Sequence, residues 1–337
     1  MVKKKIGVLG CSKVGDASLF KAIKWVEGFE VYAVASRDLG RAQAYAEKYG
    51  VKNYYGSYEQ LIEDDKVDCI YIATTNDSHG ALAIRAAKAG KHIVVEKPIC
   101  LSMEDMSNIQ DACMQHNVYL LEGIMVQHHP WQAYIKQMIQ NNTYGALRTV
   151  KTQISFQQDA SSDNYRCKKA LGGGAFWDEG PYWIQFIQFI LGLQPTTYTG
   201  YSDFSGPDGC DWTFQASMAY EGGIHVDFTT SFEMPYEATH WLVFDKATVR
   251  ISNFFRASMG NFKINIDIEA LETGIKEKVS FEPQNYYVNQ LDFFSHVLDG
   301  TMPNIPLSQS ADRIRIMENI YMDAKKNNMD KKEAKKM

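Results

Sequence analysis

The chain lacks any run of the ~18 to 20 apolar residues that a membrane span needs, so no span and no membrane partner are expected. Cysteine is sparse: Cys11, Cys69, Cys100, Cys113, Cys167 and Cys210 are scattered, and none forms a C-x-x-C pair. That spacing excludes the common zinc and disulfide frameworks, so it predicts free thiols in a reducing compartment and no metal. Positive charge is also short, with 35 Lys and Arg against 40 Asp and Glu for a net charge of −5, and the only basic clusters lie at the two ends of the chain. A nucleic-acid footprint needs a basic patch, so no nucleic-acid partner is expected. The opening residues, basic and then apolar, imitate a signal peptide. Their apolar run is too short and flows straight into a glycine turn, which reads as a first strand of a cytoplasmic protein. No internal repeat, low-complexity stretch or flexible linker is evident.

What is present is an alternation. Apolar strand patterns at 5–9, 30–36, 67–73, 91–96 and 118–123 are separated by helical patterns, among them 41–49, 78–89 and 102–116. Repeated strand–helix units predict right-handed crossovers and a doubly wound parallel sheet. After residue 124 the pattern changes. Helical stretches at 131–141 and 184–191 flank a strand at 147–156. Strands at 213–220, 225–232, 239–244, 248–252 and 262–268 then follow one another without helices, before two helices at 286–299 and 308–325. The fold class is therefore α/β: an N-terminal Rossmann domain over 1–123, and an α+β domain over 124–337 with a large, mainly antiparallel sheet. A length of 337 residues fits two such domains.

The chemistry is concentrated at the strand ends. The first turn reads Gly10-Cys11-Ser12-Lys13-Val14-Gly15, a G-x-G-x-x-G fingerprint with Ser12 in place of the middle glycine, and its hydroxyl can donate to a phosphate; an ordinary strand-to-helix turn is the alternative. The second strand ends in Ser36-Arg37, with Arg41 one turn on. An NAD site carries an acid at that point, whereas serine and arginine suit a 2′-phosphate, so NADP is expected over NAD. The plain alternative is a surface arginine beside a helix. Thr74-Thr75-Asn76, with His79, follows the third strand where a ribose or nicotinamide would lie; the alternative for His79 is a helix-start residue bonded locally. Glu96-Lys97-Pro98 closes the fourth strand and aims a lysine at the crevice where open sheets bind ligands. Far along the chain, Gly172-Gly173-Gly174 leads to Asp178 and, one helical turn on, Tyr182. A phenol has an ordinary pKa near ~10, and a neighbouring lysine cation lowers it toward the range useful for proton transfer. The alternative places Tyr182, with Trp177 and Trp183, in an aromatic core. His128-His129 has no third ligand nearby, so it reads as substrate contact or structure rather than a metal site.

These motifs, in this order and over nearly the whole chain, resemble the Gfo/Idh/MocA oxidoreductases; Glu122-Gly123 completes the set. The resemblance implies a nucleotide-binding domain and a second domain whose wide sheet pairs subunits, here as a homodimer or homotetramer. It implies Lys97 at the substrate as well as at the cofactor, beside Glu96. It also implies Tyr182 as the proton donor, since many members carry histidine there. The tyrosine branch holds nucleotide-sugar 3-ketoreductases, dimeric dihydrodiol dehydrogenases and glucose–fructose oxidoreductase. By the same likeness Gln127, His128 and Arg166 fall at the substrate. Gln185 stands where inositol-type members have an aspartate, which argues against inositol, and Gln127 replaces an arginine of many relatives.

The expected function is NADPH-dependent hydride transfer to a sugar or polyol carbonyl, with reduction of a keto nucleotide-sugar as one direction. Lys97, Asp178 and Tyr182 carry the catalysis. A dihydrodiol or free-sugar dehydrogenase with the same site is one alternative. A silent NADP-binding sensor or scaffold, suggested by Ser12 and Gln127, is another.

Overall fold

The computed structural model describes residues 3–161 and 163–334. The first part of the chain forms β1 (Lys4–Leu9), a short α1 (Lys13–Gly15) that runs into a π turn, β2 (Phe29–Ala35) and α2 (Leu39–Tyr49). It continues through β3 (Asn53–Tyr55), α3 (Tyr58–Ile62), β4 (Cys69–Ile72), α4 (His79–Lys88), β5 (His92–Glu96), α5 (Met103–Gln115) and β6 (Leu120–Gly123). The six strands are parallel, in the order β3-β2-β1-β4-β5-β6. β1 has β2 on one side and β4 on the other, so the chain order reverses there and the turn after β1 opens at the switch point of the sheet.

The rest comprises α6 (Pro130–Gln140), β7 (Leu147–Ser155), α7 (Ala175–Leu191), β8 (Thr197–Tyr201), β9 (Thr213–Tyr220) and β10 (Ile224–Ser231). β11 (Glu237–Phe244), β12 (Ala247–Ser252), β13 (Ile264–Ala270), β14 (Lys276–Phe281), α8 (Tyr286–Leu298) and α9 (Leu307–Ala334) follow. The eight strands are ordered β14-β13-β12-β11-β7-β10-β9-β8, antiparallel except where β10 runs beside β7. One face alternates apolar residues such as Val150, Val226, Phe228 and Leu242, all buried. α7 is apolar on nearly every side and packs there: Trp183 stacks on Phe228 at 4.7 Å and 3°, and Phe176 on Phe214 at 4.2 Å. The opposite face shows Lys151, Gln215, Asp227 and Arg250 to solvent.

The compact units do not follow a single cut at residue 123. One takes in the chain through His128 together with Tyr286–Ile314; the other takes in His129–Asn285 and the chain from Arg315 onward. The reason is burial. Leu291, Phe294 and Val297 of α8 join Ile6, Val8 and Phe29 in one core, and Phe294 stacks on Phe29 at 6.3 Å. The chain can approach α8 so closely at Gly28 because a Cβ there would overlap Ser295.

Candidate active site

The glycine turn is built for close backbone approach. Gly10 has φ +102°, and a Cβ there would lie 2.5 Å from the Ala73 carbonyl oxygen, so other residues are excluded on both counts. Ser12 caps α1, its Oγ accepting the Gly15 N–H at 3.2 Å, which leaves its own hydroxyl proton to donate. The turn is held from α2: Arg41 Nη2 donates to the Cys11 carbonyl at 2.6 Å, and the Tyr45 hydroxyl donates to the Ser12 carbonyl at 3.1 Å. Burial pushes the Cys11 thiol up to about 11, so this residue offers backbone rather than a thiolate. Lys13 and Val14 are exposed on the first turn.

At the end of β2, Ser36 is buried and its Oγ accepts the Asp38 N–H at 3.3 Å, while Arg37 is exposed. Sequence reading passed over Asp38. Its carboxylate is committed as the cap of α2, accepting the Arg41 N–H at 2.6 Å, which leaves Arg37 as the outward charge of this turn. Beyond β4, Thr74 and Thr75 are half-buried, and the Ser78 hydroxyl lies 2.7 Å from Thr74 Oγ1; Asn76 is buried. His79 is buried with Nδ1 2.8 Å from the Pro98 carbonyl and Nε2 3.3 Å from the Thr74 carbonyl. Burial lowers its pKa and keeps it neutral, and we assign the proton to Nδ1, the shorter contact. Its ring therefore ties two loops together, and any effect on a cofactor runs through them.

Glu96 is also buried. Its Oε1 meets the Tyr71 hydroxyl at 2.5 Å, which lies 2.9 Å from Ser18 Oγ, and Ser18 donates to the Val14 carbonyl at 2.7 Å. Burial raises the Glu96 pKa. Across residues 93–100 every side chain is buried except that of Lys97, and the Lys97-Pro98 peptide is cis.

Asp178 and Tyr182 lie on α7, in the other compact unit. The triple glycine is needed there because Gly172 and Gly174 have φ +72° and +108°, and a Cβ on Gly173 would sit 2.6 Å from the Tyr165 and Arg166 carbonyls. Arg166 Nε donates to Asp178 Oδ2 at 2.6 Å and the Tyr165 hydroxyl donates to Oδ1 at 3.0 Å. Burial, then the Asp178 charge, holds the Tyr165 phenol protonated, well above its ordinary value. The structure thus joins Arg166 to Asp178, and adds Tyr165. Tyr182 is 8% exposed and meets Phe255 edge-on at 4.7 Å. Gln185 is locked in a reciprocal amide pair with Gln132 at 3.0 Å. Gln127 lines a hollow with Leu120, Glu122 and Arg313. The His128 ring lies 4.9 Å from Phe293, and its Nε2 is buried without a hydrogen-bond partner. The aromatics Trp177, Trp183 and Trp212 are core residues. Among the described residues no group of three or more His, Cys, Asp or Glu is placed to hold a metal ion.

Residues 4–124 match the oxidoreductase family with an NAD-binding Rossmann fold, and residues 133–250 match the GFO/IDH/MocA C-terminal domain. The chain belongs to the Gfo/Idh/MocA oxidoreductase family. It is an NAD(P)-dependent oxidoreductase. D-xylose 1-dehydrogenase (NADP(+)) 2 of Haloferax volcanii is 27% identical to this family member, over 94% of its chain and 96% of the relative. Trans-1,2-dihydrobenzene-1,2-diol dehydrogenase of Mus musculus is 29% identical over 67% of each. The 3-ketoreductase KijD10 of Actinomadura kijaniata, solved with NADP and TDP-benzene, superposes with a TM-score of 0.88 at 20% identity, covering 96% of this chain and 98% of that one. That likeness extends the family fold across both domains. The dinucleotide fits the residues present: the close backbone at Gly10, the free hydroxyl proton of Ser12 and the outward Arg37 are what a pyrophosphate and a 2′-phosphate need.

Proposed function

We propose that this protein is an NADPH-preferring oxidoreductase that reduces a carbonyl on a sugar or related polyol, a keto nucleotide-sugar being the substrate class that its residues suit best. The observation that carries the cofactor preference is the end of β2, where Asp38 is spent as a helix cap and Arg37 points outward. The turn after β1 binds the pyrophosphate, with Ser36, Arg37 and Arg41 around the 2′-phosphate. The loops of Thr74, Thr75 and Asn76, and of Glu96 and Lys97, face the rest of the dinucleotide. When bound, the nicotinamide supplies or takes the hydride. The chain's own part is the proton and the charge: Tyr182 exchanges a proton at the reacting oxygen, and the Lys97 ammonium stabilises negative charge there. Asp178, fixed by Arg166 and Tyr165, holds the end of α7 that carries Tyr182. Gln127, His128 and Arg166 are the remaining substrate-side candidates.

Oxidation of a free aldose or a trans-dihydrodiol is the second reading, favoured by what the two curated relatives are called. Growth of NADPH absorbance with D-xylose or trans-dihydrobenzenediol would decide for it. The polar outer face of the eight-stranded sheet is the surface we assign to subunit pairing, and six free, buried cysteines suit a reducing compartment such as the cytoplasm. The first test is nicotinamide fluorescence with NADPH and NADH. NADPH should bind more tightly, and Arg37→Ala should remove most of that preference. Equal affinity for the two would reject it. Tyr182→Phe should reduce turnover by ~10²-fold or more with cofactor affinity nearly unchanged, and wild-type turnover would reject the proton role.

A further inference from the structure

The loop that presents Lys97 is clamped just after it, at the Pro98–Ile99 peptide, by its carbonyl and by its N–H. The Pro98 carbonyl receives His79 Nδ1 at 2.8 Å, and the Ile99 N–H donates to Glu122 Oε1 at 3.2 Å. Glu122 lies near the end of β6, whose Gly123 lets the chain pass close to β5: a Cβ there would be 3.1 Å from the Val95 carbonyl. The second Glu122 oxygen is held from the first turns of α9. Arg313 Nη2 donates to Oε2 at 2.7 Å and the Ser310 hydroxyl at 2.8 Å, while Arg313 also reaches Ser310 Oγ at 2.8 Å. Glu122 is 4% exposed and Arg313 is 2% exposed. A buried ion pair is a poor way to gain stability, because removing two charges from water offsets most of their attraction. This one has a second consequence. It fixes the orientation of the carboxylate that pins the amide two residues after Lys97.

We propose that Glu122 and Arg313 are positioning residues that set where the Lys97 ammonium lies, through the Ile99 amide, with His79 holding the same loop from the α4 side. The inference rests on the reading of Lys97 as the group that stabilises charge on the substrate oxygen. Misplacing such a group by ~1 Å costs about 10²-fold in rate. Arg37 and Arg41 stand at the opposite side of β1 from β5 in the strand order, so cofactor affinity through the 2′-phosphate is untouched.

The test uses the full chain with Arg313→Lys, which keeps the charge and loses the fork, and His79→Gln as an independent second variant. Hydrogen exchange read by mass spectrometry should rise about tenfold across residues 96–100, the equivalent of one lost hydrogen bond, while β1 and β4 stay unchanged. Unchanged exchange in that segment in both variants, or an equal rise in β1 and β4, overturns the proposal. Turnover, read as NADPH oxidation with a keto-sugar or as NADP+ reduction with D-xylose or trans-dihydrobenzenediol, whichever the wild type turns over, should fall about 10²-fold in Arg313→Lys with the NADPH Kd within about twofold. Placed in a Lys97→Met background, the same change should lower turnover no further; an equal loss in both backgrounds means that Arg313 does not act through Lys97. If Lys97→Met alone turns over like wild type, the reading of Lys97 fails, while the exchange measurement still decides whether the clamp exists.

Discussion

At the scale of single residues, the site is defined by what each side chain is already doing. The sequence offers Arg41 as a charge near a phosphate and says nothing of Asp38. The structure shows an arginine tied to the Cys11 carbonyl and an aspartate capping α2. Glu96 and His79 stand in the motifs but turn their side chains into the protein, toward Tyr71 and toward two backbone carbonyls. In the glycine turn, Gly10 tolerates little change. Alanine there takes a left-handed φ and meets the Ala73 carbonyl at 2.5 Å, and strain of this kind costs about 1–3 kcal/mol. Gly10→Ala should lower the thermal midpoint and weaken NADPH binding together, as read by calorimetry and fluorescence. A variant that binds NADPH like wild type would show that the close approach is dispensable.

At the scale of elements, the decisive piece is α7 and how it starts. Its first N–H groups need acceptors that the glycines cannot supply. Asp211, far along the chain, provides them: its carbonyl accepts the Ala175 N–H at 2.9 Å and its Oδ2 accepts the Phe176 N–H at 2.7 Å. Burial pushes the Asp211 carboxyl up to about 7, against the Phe176 amide and the Tyr321 hydroxyl, which favour the ionised form. Because the folded pKa is raised, the contribution is fully present below the unfolded value near ~4 and is lost as pH rises through about 7. Asp211→Asn retains an acceptor for Phe176 and removes the titration. It should therefore gain stability relative to wild type as pH increases from 5 to 8, measured as the difference in urea midpoint. A difference that does not vary with pH would contradict the burial argument. Elements also explain what pattern reading missed. β3, β8 and β14 were not anticipated, and each is an edge of its sheet. Edge strands are short or polar because they face water, so Lys276-Glu277-Lys278 reads as a solvated turn rather than a strand.

At the scale of the whole molecule, buried histidines set the response to acid. Burial holds His128 down to about 3, His129 to about 4 and His240 to about 3, and it lowers His79 and His92 as well. His240 is enclosed by Phe254, stacked at 4.4 Å, with Thr152 Oγ1 2.8 Å from its Nδ1. Folded pKa values below the unfolded ~6.5 give stability that is present above pH ~6.5 and lost as pH falls toward the folded values. His128 and His240, both fully enclosed, each contribute roughly 1 kcal/mol per pH unit within that window. Asp211 and Glu96 titrate in the opposite sense, but they are outnumbered. Stability should therefore rise with pH between about 4 and 6.5. The urea midpoint at pH 6.5 should exceed that at pH 5, and the reverse order would show that the histidines are hydrated.

The sequence by itself determined the strand–helix beat, the two sheets, the family and the places where chemistry gathers, because periodicity and glycine turns are local properties of the chain. Gly10, Lys97, Asp178 and Tyr182 are legible for that reason: each follows a strand end or a glycine turn that its neighbours announce. Only the tertiary structure decided which partners those residues have. Arg313 could be suspected, since it occupies the apolar face of α9 between Ser310 and Met317, all buried. Its bond to Glu122 joins groups 191 residues apart. Tertiary structure also placed α8 against the parallel sheet, since the apolar face of a helix does not name the sheet that will cover it. Partnership across such distances depends on packing and desolvation, which act in space and leave no spacing in the chain to read.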